Sequence, residues 1–181
     1  MTTRLLLVRH GQSVGNVKQI LQGQDNGMLT DLGREQAAEV ARRLKDEPID
    51  AFLASDLTRA VETCQIIAQP HGGKIRTTPL LRERDWGDFT GESIPELKDK
   101  VWPDNVETIG HLKDRARRFL DLVRREYPGQ TVLAVGHGII NKAVQAVFYD
   151  KAMHEVEKMM NVEVRELIIG DGSLIIGDGS R

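Results

Sequence analysis

Leu5-Leu6-Leu7-Val8-Arg9-His10-Gly11 begins with four apolar residues that lead into Arg9 and then His10. Val132-Leu133-Ala134-Val135-Gly136-His137-Gly138 repeats this arrangement far downstream. Continuous apolar runs of this kind are typical of strands that are buried on both faces of a parallel sheet. Ligands bind at the carboxyl ends of such strands, where helix N-termini present N–H groups to anions. The pattern therefore predicts an anion site that contains two imidazoles.

The length and composition of the chain limit the class of protein. A chain of 181 residues is long enough for a proper core, and we expect residues 1–181 to form one domain. The net charge of −2 predicts no surface for nucleic acid or for an anionic membrane. The single cysteine, Cys64, cannot form an internal disulfide, and we see no signal-like or membrane-spanning stretch. We therefore expect a cytoplasmic protein.

Strands and helices are predicted to alternate along the chain. The predicted strands lie at about residues 4–8, 51–54, 74–81 and 131–135. The predicted helices follow a cap at Thr30, follow a cap at Ser55 or Asp56, and cover about residues 106–126 and 139–148. This alternation indicates an α/β fold with a mainly parallel central sheet covered by helices on both faces.

The end of the chain contains a repeated heptapeptide. Leu167-Ile168-Ile169-Gly170-Asp171-Gly172-Ser173 is followed at once by the same seven residues. Asp-Gly between apolar runs favours a hairpin turn, so residues 164–181 are expected to form an edge hairpin or tail. The repeated Gly-Asp-Gly offers too few ligands for a calcium loop, and we expect no metal there.

Four basic side chains are expected to meet at one edge of the sheet. Arg9 and His10 end the first strand, and His137 ends the last parallel strand. Arg59 lies in the first turn of the helix that follows the second strand. Each residue alone has an ordinary alternative as a surface arginine or a packing histidine. Together, two guanidinium forks match phosphate oxygens in pairs and indicate a phosphoryl group.

These residue types can transfer a phosphoryl group. A neutral imidazole can attack phosphorus, while preorganised cations, a second and protonated histidine among them, stabilise the charge on the equatorial oxygens. The departing alkoxide then needs a proton, and Glu83, after the predicted third strand, is the candidate acid. Because a carboxyl group is ionised in water at pH 7, Glu83 would have to be protonated through partial burial or by the bound phosphate.

The same segments resemble the histidine phosphatase superfamily, the phosphoglycerate-mutase-like proteins. The resemblance covers roughly residues 4–148 in the expected order. The matching segments are Arg9-His10-Gly11-Gln12-Ser13 with Asn16, Leu29-Thr30-Asp31-Leu32-Gly33-Arg34-Glu35-Gln36-Ala37, Ser55-Asp56-Leu57-Thr58-Arg59-Ala60-Val61-Glu62-Thr63, Leu81-Arg82-Glu83 with Gly87, Phe89 and Gly91, and Gly136-His137-Gly138.

The resemblance implies a three-layer α/β/α sandwich and assigns a role to each site residue. His10 would form a phosphohistidine, and Glu83 would act as the general acid and then as the base that activates water. The phosphate pocket would comprise Arg9, Arg59, Asn16 and His137. The chemistry requires no metal and no cofactor, and its partner would be a small phosphorylated metabolite. The number of subunits is left open.

The segment at about residues 92–110 bears on the choice between phosphatase and mutase. A resemblance to the family predicts a cap there, and this one is short. A mutase must shield its phosphohistidine from water, whereas a phosphatase must admit water, so a short cap favours the phosphatase branch. Lys98, Lys100 and Trp102 are candidates for lining a pocket for an anionic or ring-bearing substrate.

Two alternative functions are kept beside the phosphatase. The first alternative is phosphoglycerate-mutase-type transfer, and the second is a non-catalytic phospho-ligand-binding protein.

Overall fold

A computed structural model describes residues 1–172 of the chain. The strands are β1 (Thr3–Arg9), β2 (Ala51–Ser55), β3 (Ile75–Thr78), β4 (Thr131–Gly136) and β5 (Val164–Ile169). The α-helices are α1 (Val14–Val17), α2 (Asp31–Leu44), α3 (Thr58–Ala68), α4 (Ile109–Glu126) and α5 (Gly138–Phe148). Short 3₁₀ helices lie at Gln69–His71, Pro79–Leu81, Gly87–Phe89, Ile94–Leu97 and Met153–Glu155.

The strands form one sheet in the order β3-β2-β4-β1-β5. The first four strands in this order are parallel, and β5 pairs antiparallel with β1 at the edge. In the register of β1 and β4, Arg9 lies opposite Gly136. The next residues, His10 and His137, therefore leave the same edge of the sheet side by side.

Side chains alternate between the two faces of β1, and each face has its own helical cover. Leu5 and Leu7 join a core cluster with α4 and α5, whereas Leu6 and Val8 join a cluster with α2 and α3. Full burial of a leucine side chain contributes roughly 1.5–3 kcal/mol, so this central strand fixes both helical layers to the sheet. The α/β fold with a mainly parallel sheet and helices on both faces is confirmed.

One of the two predicted helix caps is confirmed, and a third cap, Thr108, was not predicted. The hydroxyl of Thr30 accepts a hydrogen bond from the N–H of Gly33 at 3.0 Å, and α2 begins directly after it. In the same way Thr108 caps α4, which begins at Ile109 rather than near residue 106. The predicted cap of α3 at Ser55 or Asp56 is wrong, because Leu57 occupies the cap position without a side-chain hydrogen bond.

Tertiary contacts explain why neither predicted residue caps α3. Ser55 is the last residue of β2, and its hydroxyl lies 2.8 Å from Nε2 of His137. Asp56 accepts two hydrogen bonds of 2.7 Å from the guanidinium of Arg82. Both side chains are thus held by residues that are distant in the sequence.

The third strand and the tail differ in extent from the prediction. β3 ends at Thr78, because Pro79 has no N–H for the ladder and begins a 3₁₀ turn. The first copy of the heptapeptide contributes the end of β5, an edge strand. The second copy, residues 174–180, lies outside the described residues, and so does the second strand of the predicted hairpin. Within residues 1–172, no helix combines the length and apolar character needed to cross a membrane.

Candidate active site

His10 is positioned by backbone-to-backbone packing that only glycine permits. A Cβ atom on Gly33 would lie 2.1 Å from the carbonyl oxygen of Gln12, and one on Gly11 would lie 2.5 Å from the carbonyl oxygen of Gly33. The loop after His10 therefore rests directly on the first turn of α2. The N–H of Gly11 also donates to the hydroxyl of Thr63 at 3.1 Å, which ties this loop to α3.

The hydrogen bonding and burial of His10 fix its tautomer and its charge. Nδ1 lies 2.6 Å from the carbonyl oxygen of Gly11 and donates to it, which leaves the lone pair on Nε2. The side chain is buried, and this burial, with the charges of Arg59 and Arg9, lowers the pKa of His10 to about 3. His10 is consequently a neutral imidazole with a free Nε2, the form that acts as a nucleophile.

His137 lies beside His10, with the ring centroids 5.1 Å apart and the ring planes inclined at 63°. Its Nε2 contacts the hydroxyl of Ser55, while its Nδ1 is buried without a hydrogen-bond partner. Burial and the nearby Arg59 hold the pKa of His137 well below its ordinary value. The ligand-free site therefore favours neutral His137, and the protonated second histidine, which was predicted for the site with a phosphoryl group bound, stays a prediction.

Arg59 is buried and Arg9 is half-buried, and neither guanidinium forms a salt bridge within the described residues. Arg59 donates from Nη2 to the carbonyl oxygen of Gly23 at 2.8 Å and from Nη1 to that of Asp25 at 2.7 Å. Arg9 donates from Nη1 to the carbonyl oxygen of Met159 at 2.7 Å. The Nε atoms of both arginines are buried and unpartnered, and neither residue takes part in a salt bridge within residues 1–172.

Burial changes the pKa of both guanidinium groups. It lowers the pKa of Arg59 to about 10 and that of Arg9 below its ordinary value, although the charge of Glu83 opposes the change in each case. Both groups nevertheless stay protonated at neutral pH. Burying charges without counterions is unfavourable, so the site is electrostatically complementary to an anion.

Asn16 is held with its amide nitrogen free. It lies in the short helix α1, which the sequence analysis did not predict and which Ser13 caps. The Oδ1 atom of Asn16 accepts from the N–H of Ser13 at 3.0 Å and from Nδ2 of Asn161 at 3.3 Å. Within the described residues, Nδ2 of Asn16 donates no hydrogen bond, and Asn16 lines the cavity described below.

Glu83 reaches the N-terminus of α5. Its carboxylate accepts hydrogen bonds from the N–H of Ile139 at 3.1 Å, from that of Ile140 at 3.0 Å, and from that of Arg84 at 2.9 Å. Such donors stabilise the ionised form of a carboxyl group, as does the positive end of the helix dipole. The carboxyl group of Glu83 is therefore held in place by three backbone donors.

One cavity of about 150 Å³ brings the predicted residues together. Its walls include Arg9, His10, Asn16, Arg59 and Glu83, and His137 lies directly behind His10. Several further wall residues were not among the predicted site residues, and most of them come from loops and short turns without a recognisable motif. These are Ile20, Leu21, Gln22, Gly23, Trp86, Ile94, Gly138, Ile139 and Lys158.

A second, mainly apolar cavity of about 310 Å³ adjoins the first. The two cavities share Leu21, Trp86 and Ile94 as walls. Of the three residues suggested for a substrate pocket, Lys98 and Trp102 line this second cavity. Lys100 does not, because its ammonium group pairs with Glu92 at 2.9 Å. Among the described residues, no group of three or more His, Cys, Asp or Glu side chains is placed to hold a metal ion.

The fold and this site define the class of protein. A mainly parallel sheet between helical layers, with two histidines at the ends of neighbouring strands, is the architecture of the phosphoglycerate-mutase-like proteins. The chain belongs to the histidine phosphatase superfamily, branch 1, whose family model matches residues 5–176.

Relatives include proteins named for hydrolysis and for the mutase. The chain is 36% identical over 140 residues to "Uncharacterized phosphatase PhoE" of Bacillus subtilis, covering 75% of this chain and 72% of that one. It is 31% identical over 188 residues to "Phosphoglycerate mutase-like protein 4" of Arabidopsis thaliana, covering 93% and 80%. The solved structure of Bacillus stearothermophilus YhfR superimposes with a TM-score of 0.85 at 27% identity, covering 91% and 90%.

Proposed function

We propose that this protein is a metal-independent phosphomonoesterase that hydrolyses a small phosphate ester through a phosphohistidine on His10. One observation carries the proposal: a neutral imidazole with a free Nε2 lines a cavity beside two guanidinium groups whose Nε atoms are buried and unpartnered and which form no salt bridge within the described residues. A phosphoryl group supplies the missing negative charge and accepts from planar guanidinium donors in pairs.

The buried donors define how the phosphoryl group is held. Arg9, Arg59 and Asn16, which line the cavity, bind its oxygens. His137 lies behind His10, and its unpartnered Nδ1 is assigned as a further donor. A bound dianion offsets the charges that depress the pKa of His137 in the empty site, so His137 takes up a proton when substrate is bound. The site then presents three cations to the charge that develops on phosphorus.

The first half-reaction transfers the phosphoryl group to the protein. A bond forms between Nε2 of His10 and phosphorus while the bond from phosphorus to the ester oxygen breaks. The ester oxygen leaves with the bonding electron pair and takes a proton from Glu83. We assign the source of this proton to the monoanionic phosphate ester, which passes it to Glu83 on binding, because the carboxyl group of Glu83 accepts three backbone N–H bonds in the empty site.

The second half-reaction releases phosphate. Water attacks the phosphohistidine while the Glu83 carboxylate accepts one of its protons, and the bond between phosphorus and Nε2 breaks. The products are neutral His10 and inorganic phosphate, which carries away the proton from Glu83 as it leaves.

The surroundings of the cavity favour hydrolysis over mutase chemistry. Residues 92–108 contain a single short 3₁₀ helix, Ile94–Leu97, so the cover over the site is small and water has access. The adjoining apolar cavity offers Lys98 as its one cationic side chain, whereas a phosphoglycerate carries a carboxylate. We therefore propose an ester with a ring-bearing or apolar body.

Phosphate release tests the proposal directly. A panel of sugar phosphates, phosphoglycerates, an alkyl phosphate and an aryl phosphate is incubated with the protein in EDTA. The wild type and His154→Ala, a variant of an exposed histidine, should release phosphate, whereas His10→Ala should not. Rapid quenching after labelled substrate should trap acid-labile, base-stable label on the wild type.

Two results would redirect this assignment. Release that persists in His10→Ala, or that stops in EDTA, contradicts the mechanism. Interconversion of phosphoglycerates that depends on a bisphosphate primer, with little net release, assigns the mutase reaction instead.

A further inference from the structure

Residues 80–85, which carry Glu83, are attached to α4 through one buried guanidinium. Arg115 donates from Nη1 to the carbonyl oxygens of Leu80 at 3.0 Å and of Arg82 at 2.9 Å. Its Nη2 donates to the carbonyl oxygen of Glu83 at 3.3 Å. Three backbone acceptors around Glu83 thus share one donor side chain, and the carbonyl oxygen of Glu83 also accepts from Nε2 of Gln24 at 3.2 Å.

A buried carboxylate holds that guanidinium in place. Glu107 accepts from Nε of Arg115 at 2.7 Å and from Nη2 at 2.8 Å, which is the bidentate geometry of a strong pair. Its Oε2 also accepts from the N–H of Asp85 at 3.0 Å, and its own N–H donates to the carbonyl oxygen of Asp85 at 2.8 Å. Glu107 and Arg115 therefore bracket Glu83 from both sides along the chain.

A contribution to fold stability does not by itself explain why the ion pair between Arg115 and Glu107 is buried. Both side chains are almost fully buried, and burying two charges is a poor source of stability compared with apolar packing. Residues 82–86 belong to no helix or strand that would satisfy their backbone groups. Arg115 and Glu107 form hydrogen bonds to these backbone groups instead, and the side chain of Glu83 extends to the N-terminus of α5.

We propose that Arg115 and Glu107 are positioning residues that place Glu83 for proton transfer without touching the substrate. The inference rests on the role given to Glu83 in the proposed function. A general acid must come within roughly 2.6–3.2 Å of its target atom, and a misplacement of about 1 Å can cost on the order of 10²-fold in rate. Removing the Arg115–Glu107 ion pair should therefore lower the reaction rate in the same way as removing the Glu83 carboxyl group, but by a smaller factor.

The test compares an ester that needs the acid with one that does not. The variants are Arg115→Lys, the double variant Glu107→Gln with Arg115→Met, and the benchmark Glu83→Gln. The double variant removes both charges together, so neither stays buried alone. Arg118→Met is the matched control, because Arg118 is exposed on the same helix. The readouts are kcat and KM for 4-nitrophenyl phosphate and for an alkyl phosphate, with thermal melting to establish folding.

The expected result is a selective loss. Glu83→Gln should lower kcat for the alkyl ester by about 10²- to 10⁴-fold and far less for the aryl ester, whose leaving group needs no proton. The double variant should show the same selectivity at roughly 10- to 10²-fold with KM unchanged, and Arg115→Lys should fall between it and the wild type. Arg118→Met should match the wild type.

The outcomes separate this inference from the proposed function. If Glu83→Gln is selective but Arg115→Lys and the double variant lose both esters equally, or lose neither, the positioning role is wrong. If Glu83→Gln itself shows equal losses, the acid assignment fails first. If the double variant does not fold, Arg115→Lys decides the question alone, because it retains a cation beside Glu107.

Discussion

The two site histidines share a residue type but differ in their hydrogen-bond partners. His10 donates from Nδ1 to a backbone carbonyl, which is only an acceptor, so its tautomer is fixed. His137 contacts the hydroxyl of Ser55, which can donate or accept. The proposed nucleophile is thus locked in one form, whereas its neighbour can change protonation when charge enters the site.

The buried neutral imidazole of His10 predicts that acid destabilises the fold. Its pKa falls from the ordinary 6.5 to about 3 on folding, so below pH 6.5 the unfolded chain binds a proton that the folded chain does not. This contribution to stability is complete above pH 6.5 and is lost by about 1.4 kcal/mol per pH unit as the pH falls towards 3. Burial of His137 acts in the same direction.

Urea unfolding at several pH values between 7 and 4.5 measures this effect. The free energy of unfolding of the wild type should fall more steeply as the pH is lowered than that of His10→Gln, because the glutamine at position 10 does not titrate. His154→Gln should keep the wild-type slope, because His154 is exposed. Equal slopes for the wild type and His10→Gln would show that His10 is not buried in its neutral form.

At the scale of elements, the site depends on how closely α2 approaches the loop after β1. Gly33 lies in the first turn of α2, and a Cβ there would meet a backbone oxygen that cannot rotate away. Gly110, in the first turn of α4, has nothing nearer to an added Cβ than the hydroxyl of Thr108 at 3.9 Å. Both glycines lie in the first turn of a helix. An added Cβ atom would clash with backbone at Gly33 but would have no close neighbour at Gly110.

Alanine at these two glycines should therefore have opposite effects. Gly33→Ala should lower the free energy of unfolding by about 1–3 kcal/mol, because the backbone must shift, and should reduce phosphate release through the displaced His10. Gly110→Ala should raise the free energy of unfolding by about 0.5–1 kcal/mol through better helix propensity and leave the rate of phosphate release unchanged. Urea unfolding and initial rates check both. A Gly33→Ala protein with wild-type rates would mean that the loop tolerates the shift.

At the scale of the whole molecule, a chain of net charge −2 places two guanidinium groups in one pocket. This local excess of positive charge predicts that an oxyanion binds the folded state and stabilises it. At a concentration of 100 times its Kd, a ligand adds about 2.7 kcal/mol, which is several degrees in Tm for a chain of this length.

Orthovanadate, a phosphate analogue, should accordingly raise Tm in a concentration-dependent way, whereas chloride at equal ionic strength should not. Arg59→Met should lose most of this response, because Arg59 is the buried cation that lines the cavity. Thermal melting with increasing vanadate measures both proteins. An unchanged Tm in the wild type would mean that the cavity does not bind such anions.

The extent of the single domain, the cap at about residues 92–110 and the hairpin or tail at 164–181 stay predictions. Within the described residues, both core clusters use side chains of β1, β2 and β4, so the helical layers share one sheet. This sharing supports a single folding unit.

The sequence by itself determined the order of elements and the residues of the site. Apolar runs and the threonine cap of α2 are patterns among near neighbours in the chain, so they can be recognised without the structure. The strand ends that carry His10 and His137 follow from such patterns, and Arg59 follows from its place in the first turn of a helix. The resemblance to a family added the role of Asn16.

Only the tertiary structure decided the charges and the hydrogen-bond partners of those residues. The Ser55 contact to His137 spans 82 positions, and the Ile139 bond to Glu83 spans 56. The attachment of residues 80–85 to Arg115 left no sequence signal, and neither did Lys158 in the cavity wall. A pKa or a tautomer depends on burial and on whichever groups the fold brings within a few ångströms, and the order of residues along the chain does not specify those groups.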